Sequence, residues 1–321
     1  ASTPYAFAAL KADGSVSSWG DMPPAPADVT NPAPDARVTK LVSTEYGFAA
    51  LLSNGRVACW GSPEVVMNFP EDLSDVEAIA TSAYSFAALK TDGSIVVWGD
   101  PIAGGAKAPA SVTNPAEGAK VAQLYAASMA FAAVLEDGKV VTWGYDEGST
   151  PVPRTVTAPV EGAHVTTVVA NPAVFVAIKA DGSVNSWGSP IHGGEKAPKT
   201  NDIVQVIPAT AAFAAMHKDG SISAWGHEQY GGGRVASDLK SPVSGAEPKH
   251  IASANYAFAA LKADGSVSTW GKEEWGGADA PAIVTRPGAG VVGIASTQRA
   301  FAALFPPHHT AAEAGQGSDE L

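Results

Sequence analysis

A short pattern of apolar and polar residues recurs along this chain and predicts its architecture. The copy YAFAALKADGSVSTWG at residues 256–271 is nearly identical to residues 5–20. The phenylalanine near the start of each copy recurs at Phe7, Phe48, Phe86, Phe131, Phe175, Phe213, Phe258 and Phe301. Their mean spacing of 42 residues is typical of blade-type repeats built from several short strands, and not of helical arrays.

Each repeat predicts three strands followed by a variable return. A short β-rich run leads, the Phe-Ala-Ala-Leu strand comes second, and the third strand ends in Trp-Gly. The Ala pair is unusual because alanine has weak β propensity, so we expect it where strands crowd together near the centre of a propeller. The leading runs are predicted at residues 38–43, 76–81, 121–126, 165–170, 203–207, 250–253 and 291–296.

An Asp-Gly or Asn-Gly dipeptide separates the second and third strands of the repeat. These residues tolerate positive φ angles, which predicts a two-residue type I′ hairpin. The turns are Asp13-Gly14, Asn54-Gly55, Asp92-Gly93, Asp137-Gly138, Asp181-Gly182, Asp219-Gly220 and Asp264-Gly265. This turn role accounts for the recurring aspartates, so we do not interpret them as acid–base pairs.

The Trp-Gly dipeptide ends the third strand of seven copies, at Trp19, Trp60, Trp98, Trp143, Trp187, Trp225 and Trp270. A large side chain that recurs at one register favours packing in the wedge between neighbouring blades over a ring of ligand-stacking indoles. The glycine permits the bend that follows.

The pattern therefore predicts an all-β fold, a seven-bladed β-propeller of about 42-residue repeats. We expect one domain over residues 1–305 and a polar C-terminal tail over 306–321. Residues 291–305 would share a blade with residues 5–20, which closes the ring and removes open sheet edges. The eighth Phe-Ala-Ala strand is then an outer strand of that blade, or the chain was cut from a longer array.

The succession of leading strand, Phe-Ala-Ala-Leu, Asp-Gly-Ser-Val, Trp-Gly and Gly-Gly resembles the regulator of chromosome condensation repeat family, from residue 5 to residue 305. The resemblance implies seven blades. Members of that family are exchange factors for small GTPases, chromatin binders, parts of ubiquitin ligases and secreted inhibitors of β-lactamase. This chain lacks the family's usual His-Ser, Trp-Gly-Asn and Gly-Gln-Leu-Gly residues, so the fold is carried over and no functional residue is.

Composition narrows the class of partner. The formal net charge is −12, from 20 basic and 32 acidic residues, and no Lys/Arg cluster occurs. We therefore do not expect nucleic-acid binding, because phosphate neutralisation supplies most of its affinity. No apolar run approaches the roughly 18 residues of a transmembrane helix. Cys59 has no second cysteine to pair with, and we expect a buried, inert thiol.

Histidine spacing nominates no metal site or cofactor, because none of the seven histidines stands in a ligand pattern. Nor does any Ser-His-Asp or Cys-His arrangement stand out, so we expect no enzyme and no catalytic residue. His217 occupies a place where other repeats have lysine, which predicts a solvent-facing strand position.

Four returns share the pattern Trp-Gly-x4-Gly-Gly, and variable segments of repeats usually form the binding face. The residue before Gly-Gly is Trp275, Tyr230, His192 or Ala103, so three of the four returns present a ring. Rings on rigidly held loops are typical of protein interfaces and sugar sites. The alternative is that they pack on the neighbouring blade. Trp275, Tyr230 and His192 are the predicted binding residues.

These features predict a non-catalytic protein-binding or scaffold propeller, an accessory subunit of a larger assembly. Glycan binding through the aromatic returns is one alternative, and nucleotide exchange on a small GTPase is another. A chain that begins at Ala1 without Met is expected of a processed mature form, secreted or in an organelle lumen. The C-terminal Ser-Asp-Glu-Leu resembles an endoplasmic-reticulum retrieval signal, but its first residue departs from it and chance is preferred.

Overall fold

The computed structural model describes residues 1–145 and 150–306. Backbone contacts divide the chain into two compact units, Ala1–Asn201 and Asp202–Leu321. The expected single domain over 1–305 stays a prediction. The expected tail lies outside the described residues apart from Pro306, and so does the Ser-Asp-Glu-Leu segment.

The first unit contains five small antiparallel sheets in its described residues. The first sheet has two strands and the others have three, with the Phe-Ala-Ala strand in the middle. Its strands are β1 (Ala6–Leu10) and β2 (Val16–Gly20); β3 (Val38–Ser43), β4 (Gly47–Leu52) and β5 (Val57–Gly61); β6 (Val76–Thr81), β7 (Ser85–Lys90) and β8 (Ile95–Gly99); β9 (Val121–Ala126), β10 (Ala130–Leu135) and β11 (Val140–Gly144); β12 (Val165–Asn171), β13 (Val174–Lys179) and β14 (Val184–Gly188).

The second unit repeats this arrangement. Its described strands are β15 (Ile203–Pro208), β16 (Ala212–His217) and β17 (Ile222–Gly226); β18 (Pro248–Ser253), β19 (Ala257–Lys262) and β20 (Val267–Gly271); β21 (Gly293–Ser296) and β22 (Phe301–Leu304). All seven leading runs predicted from the sequence are strands. The largest differences are that β18 begins two residues earlier and β21 two residues later than predicted.

Short helical turns fill the returns, where a propeller blade would otherwise carry a fourth strand. Six of them are four-residue helices, and each buries one apolar side chain. Proline stands immediately before or at the start of five of them, where its fixed φ suits the first turn. The helices are α1 (Ala27–Thr30), α2 (Pro63–Val66), α3 (Ala110–Thr113), α4 (Arg154–Thr157), α5 (Ser237–Lys240) and α6 (Ala282–Thr285). None of the helices in the described residues has the length and apolar character to cross a membrane.

The Phe–Trp pair of each sheet packs against the preceding sheet. Phe48 lies opposite Trp60 across β4 and β5, and their ring centroids are 5.4 Å apart. The two rings share a core cluster with Ala6, Ala8 and Val16 of the first sheet. The same arrangement joins later sheets within each unit. The prediction that these tryptophans fill the wedge between blades is confirmed for these sheets.

The alanine pair is explained by burial on both faces of the middle strand. Ala49 and Ala50 are both 0% exposed. Ala50 packs towards the first sheet together with Phe48, whereas Ala49 packs towards the third sheet against Phe86. Small side chains let the sheets on either side approach the strand closely.

The Asp-Gly turns differ from the predicted two-residue hairpin. Gly14 has a φ of 81°, but Asp13 is not among the residues with positive φ, as a type I′ turn would require. Gly14 donates its N–H to Lys11 O at 3.0 Å, and Lys11 donates to Ser15 O at 2.9 Å. The loop therefore has three residues with a left-handed glycine at its end, a common alternative hairpin.

The aspartate of this loop accepts hydrogen bonds instead of adopting a positive φ. Asp13 Oδ1 accepts the Ser15 hydroxyl at 2.7 Å and the Ser15 backbone N–H at 2.9 Å. These two bonds, the hydroxyl first, lower the pKa of Asp13 below its ordinary value. The same pair of bonds lowers the pKa of Asp92, Asp181 and Asp219.

The fold is thus all-β and is built from blade sheets of the β-propeller type, as predicted. The first Phe–Trp pair is the exception to burial, because no sheet precedes it in its unit: Phe7 is 53% exposed and Trp19 is 56% exposed. Ring closure by the two chain ends sharing a blade stays a prediction.

Candidate functional site

Backbone hydrogen bonds tie together the turns that join each leading strand to its Phe strand. In the first unit Ala83 N donates to Ser128 O at 2.8 Å, and Ser128 N donates to Pro172 O at 3.0 Å. In the second unit Asn255 N donates to Gln298 O at 3.0 Å. Because these bonds link successive sheets, side chains on the turns are held by a rigid frame.

Four rings form a continuous row on the second unit. Tyr230 lies between His227, with a centroid distance of 4.0 Å, and Tyr256, with a distance of 4.4 Å. Trp275 meets the ring of Tyr256 edge-on at 4.6 Å. We call His227, Tyr230, Tyr256 and Trp275 the aromatic row, and all four are partly exposed.

Two cationic side chains contact the aromatic row. The guanidinium of Arg299 lies 4.3 Å from the Trp275 ring centroid, and Lys272 Nζ lies 5.5 Å from that of Tyr230. Both distances are within the range of cation–π attraction. The exposed Glu273 and Glu274 flank Trp275, and Lys272 Nζ is 3.4 Å from Glu274 Oε2. The row therefore combines rings, cations and exposed carboxylates in a small area.

The Gly-Gly return is what places Tyr230 against the next sheet. Gly231 has a φ of +98°, and a Cβ there would lie 2.7 Å from the ring of Phe258. Its carbonyl accepts the indole N–H of Trp270 at 3.2 Å. Only glycine permits this approach, which delivers the preceding tyrosine to Tyr256. Gly276 does the same for Trp275, since a Cβ there would lie 2.7 Å from Phe301.

The structure brings together two of the three predicted binding residues. Tyr230 and Trp275 both contact Tyr256, so the packing alternative holds in part, and both remain partly exposed. His192 lies in the first unit, where its Nδ1 is 2.8 Å from Ser189 Oγ. It lines a separate cavity.

Sequence reasoning missed Tyr256 and Arg299. Both stand two residues before a repeat phenylalanine, a position that holds tyrosine in four copies. That recurrence was the available signal. The same position in the first unit forms a second stack, with ring centroid distances of 5.7 Å from Tyr5 to Tyr46 and 5.4 Å from Tyr46 to Tyr84. The side-chain hydrogen bond with Tyr5 raises the pKa of Tyr46.

The cavity that His192 lines has a volume of about 530 Å³ and lies within the first unit. Met129 and Trp143 contribute one side, and Phe175 and Trp187 another. Trp187 is 4% exposed, and its Nε1 has no hydrogen-bond partner among the described residues.

His217 corrects a prediction, because it is 8% exposed and does not face solvent. Its Nδ1 is 2.8 Å from Asp202 Oδ1 and its Nε2 is 2.8 Å from Ser223 Oγ. An ionised carboxylate only accepts, so Nδ1 carries a proton and a neutral imidazole accepts the serine hydroxyl at Nε2. Lysine at the equivalent position is also buried: Lys262 is 9% exposed and pairs with Asp238 at 2.7 Å.

This Asp-His-Ser arrangement has the order of a catalytic triad but not its setting. Ser223 lies inside β17, paired with Ala215. A nucleophilic serine in such triads sits on a sharp turn beside free backbone N–H groups that stabilise an oxyanion. We interpret the network as a structural one that fixes the edge of this sheet.

Cys59 lies in β5, as the sequence indicated. Its Sγ accepts the indole N–H of Trp98 at 3.3 Å. Burial raises the pKa of the thiol to about 12, so the unreactive thiol form prevails at neutral pH.

Comparison with known proteins gives structural likenesses only. No protein-family model and no curated protein sequence matches the chain. It is similar to the CRINKLY WD40 ectodomain of the Arabidopsis thaliana receptor kinase ACR4, with 18% identity and a TM-score of 0.44, covering 86% of this chain and 93% of that one. The ectodomain of the Physcomitrella patens receptor kinase CR4 has 15% identity and a TM-score of 0.45, covering 83% and 70%.

A third likeness is to yeast RCC1 (Prp20) in its complex with Kap60, with 15% identity and a TM-score of 0.47, covering 80% of this chain and 77% of that one. These identities and TM-scores carry no conclusion about function.

Proposed function

We propose that this chain is a non-catalytic protein-binding propeller, whose seven blades resemble the regulator of chromosome condensation repeats, and that the aromatic row is its recognition surface. The observation that carries the proposal is the continuous contact from His227 to Trp275 on a rigid frame, with every ring still partly exposed. The partner we propose is a protein segment rich in lysine or arginine.

The residue types of the row support a protein interface. Tryptophan, tyrosine and arginine are the side chains most enriched among the few residues that dominate binding energy. Trp275 and Arg299 already contact each other, and the returns hold their backbone in place: Trp275 N donates to Lys272 O at 3.0 Å and Gly277 N donates to the same oxygen at 2.9 Å. Little conformational freedom would be lost on binding, which favours affinity.

Charge supports a basic partner. Glu228, Glu273 and Glu274 are exposed on the two return turns that carry Tyr230 and Trp275. The formal net charge of the chain is −12. A negative surface steers basic segments towards it and rejects acidic ones.

The stacking geometry favours a protein over a glycan. A sugar stacks on an open ring face, but Tyr230 has His227 on one side at 4.0 Å and Tyr256 on the other at 4.4 Å. Trp275 has Arg299 over its ring. The ring edges and the neighbouring carboxylates are what this surface offers a partner.

A peptide array tests the proposal. Fifteen-residue segments of basic, neutral and acidic composition are scored for binding to the full chain and to Trp275→Ala, with Tyr84→Ala as the control from the tyrosine stack of the first unit. We expect basic segments to bind and Trp275→Ala to weaken them about thirtyfold, the effect of losing about 2 kcal/mol at a binding hot spot.

Tyr84→Ala should leave the affinity unchanged, and raising the salt concentration should reduce binding. Equal binding of acidic and basic segments, no binding at all, or equal loss in the two variants would contradict the proposal.

A further inference from the structure

The cavity of the first unit has the size and lining of a small-molecule site. Its volume of about 530 Å³ falls within the range of roughly 300–1,000 Å³ that such sites occupy. Apolar and aromatic side chains form most of the wall, among them Met129, Val152, Phe175 and Trp187. Polar atoms are few, which is the usual composition of a ligand pocket.

The cavity exists because one return differs from the others. In the sheets that follow a Gly-Gly return, the indole N–H finds a carbonyl there: Trp143 donates to Gly104 O and Trp270 donates to Gly231 O, both at 3.2 Å. The return before Trp187 lacks the Gly-Gly pair. Trp60 also follows a return without that pair, and its Nε1 likewise lacks a partner, which ties the missing acceptor to the type of return.

The unpartnered donor faces the cavity. Trp187 is 4% exposed and lines the cavity, and the return residues Thr150, Pro151 and Val152 line it too. By the equivalence of the sheets, Trp187 Nε1 points towards the place where the other returns supply a glycine carbonyl. A buried N–H without an acceptor is uncommon in native proteins and needs an explanation.

The neighbouring hydroxyl cannot serve as that acceptor without giving up its own bonds. Thr150 Oγ1 donates to Gly188 O at 3.1 Å and to Gly194 O at 3.0 Å, and it accepts from Gly188 N at 3.0 Å. These bonds fix the return over the cavity.

The lining selects an uncharged ligand. Apart from the imidazole of His192, none of the described lining residues has an ionisable side chain other than the phenol of Tyr145. A carboxylate or ammonium group placed there would lose its hydration without a counter-charge. The aromatic walls suit a flat ring, and the indole N–H suits one hydrogen-bond acceptor on it.

We propose that this cavity binds a small neutral aromatic molecule whose carbonyl oxygen accepts the Nε1–H of Trp187. This site is independent of the aromatic row on the second unit, and its failure would leave the protein-binding proposal standing.

Titration followed through the indole N–H resonances tests the proposal on the full chain. Acetophenone supplies the ring and the carbonyl, ethylbenzene keeps the ring without an acceptor, and benzoate adds a charge. Trp187→Phe identifies the Trp187 resonance by its disappearance, and Trp143→Phe is the matched control. We expect acetophenone to shift the Trp187 resonance, and to bind at least tenfold more tightly than either ethylbenzene or benzoate.

A second variant keeps the proposal testable if Trp187→Phe does not fold. Ala173 lines the cavity, and Ala173→Leu fills part of it without touching the donor. Acetophenone binding should weaken at least tenfold in that variant and stay unchanged in Trp143→Phe. A Trp187 resonance that ignores acetophenone, equal affinity for ethylbenzene or for benzoate, or undiminished binding by Ala173→Leu would overturn the proposal.

Discussion

Single indole N–H groups distinguish sheets that otherwise share one sequence pattern. Trp143 donates to the carbonyl of Gly104, whereas Trp187 has no acceptor among the described residues. Trp98 uses Cys59 Sγ instead, at 3.3 Å. The sequence predicted that all these tryptophans would be buried as wedges. It did not predict which would keep a hydrogen bond, because the acceptor lies on the preceding return, about 40 residues earlier.

Replacing tryptophan by phenylalanine at two of these positions measures that difference. Trp143→Phe removes ring area, a hydrogen bond and the partner of Gly104 O, whereas Trp187→Phe removes a similar area and no hydrogen bond. We expect Trp143→Phe to lower the free energy of unfolding by about 1 kcal/mol more than Trp187→Phe, the net value of a typical hydrogen bond. Urea denaturation measures both, and an equal or larger loss in Trp187→Phe would contradict this.

Residue identity alone misled the prediction for His217. A polar residue at the end of a strand suggested solvent, yet both His217 and Lys262 are buried at this position and each pairs with an aspartate. Those aspartates come from different elements, at the start of β15 for Asp202 and on α5 for Asp238. Sequence spacing carried no sign of either partner.

The hairpin loop is the element whose position was predicted well and whose geometry was not. Seven dipeptides gave the positions of the turns, but Asp-Gly is compatible with loops of two or three residues. The seryl hydroxyl decides the observed form at Asp13, since it bonds the aspartate at 2.7 Å. The pattern Asp-Gly-Ser, more than Asp-Gly, was the informative one.

These loops make stability depend on acid pH. Hydrogen bonds from Ser94 and Ser183, the hydroxyl first, lower the pKa of Asp92 and Asp181 below the ordinary value of 3.8. A pKa that is lower in the folded state contributes stability above the unfolded pKa, and this stability is lost as pH falls through the folded pKa. We expect a nearly constant contribution from these loops above about pH 5 and a progressive loss below pH 4.

Thermal melting between pH 7 and pH 2 measures this loss. The variant Ser94→Ala with Ser183→Ala should show a smaller fall in melting temperature below pH 4 than the wild type, because two carboxylates have lost their stabilising hydroxyls. An identical fall in both proteins, or a melting temperature that rises on acidification, would show that the loops do not carry the effect.

The Gly-Gly return is the element that builds the aromatic row. Gly231→Ala forces a Cβ to within 2.7 Å of Phe258 at a φ of +98°, whereas Gly118→Ala has a φ of +77° and meets no atom within 4 Å. Both pay for a left-handed backbone, which costs roughly 1–3 kcal/mol. We expect Gly231→Ala to be the more destabilising, and to weaken binding of a basic segment because Tyr230 is displaced from Tyr256.

Denaturation and peptide binding on the two variants provide the measurement. Equal loss of stability would mean that the return can shift away from the ring of Phe258. Unchanged binding by Gly231→Ala would mean that the placement of Tyr230 does not matter for recognition.

For the whole molecule, strand order and core were predictable from one repeat. Phe, the Ala pair and Trp recur at fixed register, and each sheet buries them against the preceding sheet of its unit. The aromatic row was only half predictable, because Tyr230 and Trp275 stand on returns with an obvious motif. Tyr256 and Arg299 lie on the next sheet in each case, so their contacts depend on how one sheet packs on another.

The central claim is that a partner protein contacts the aromatic row, and site-specific photo-crosslinking tests it most directly. A photoreactive p-benzoylphenylalanine replaces Gln229, an exposed residue beside Tyr230, or Glu117, an exposed residue of the first unit. Each protein is irradiated with the best basic segment from the peptide array. The account predicts a covalent adduct from position 229 and none from position 117; an adduct from position 117 alone, or equal yields from the two, would contradict it.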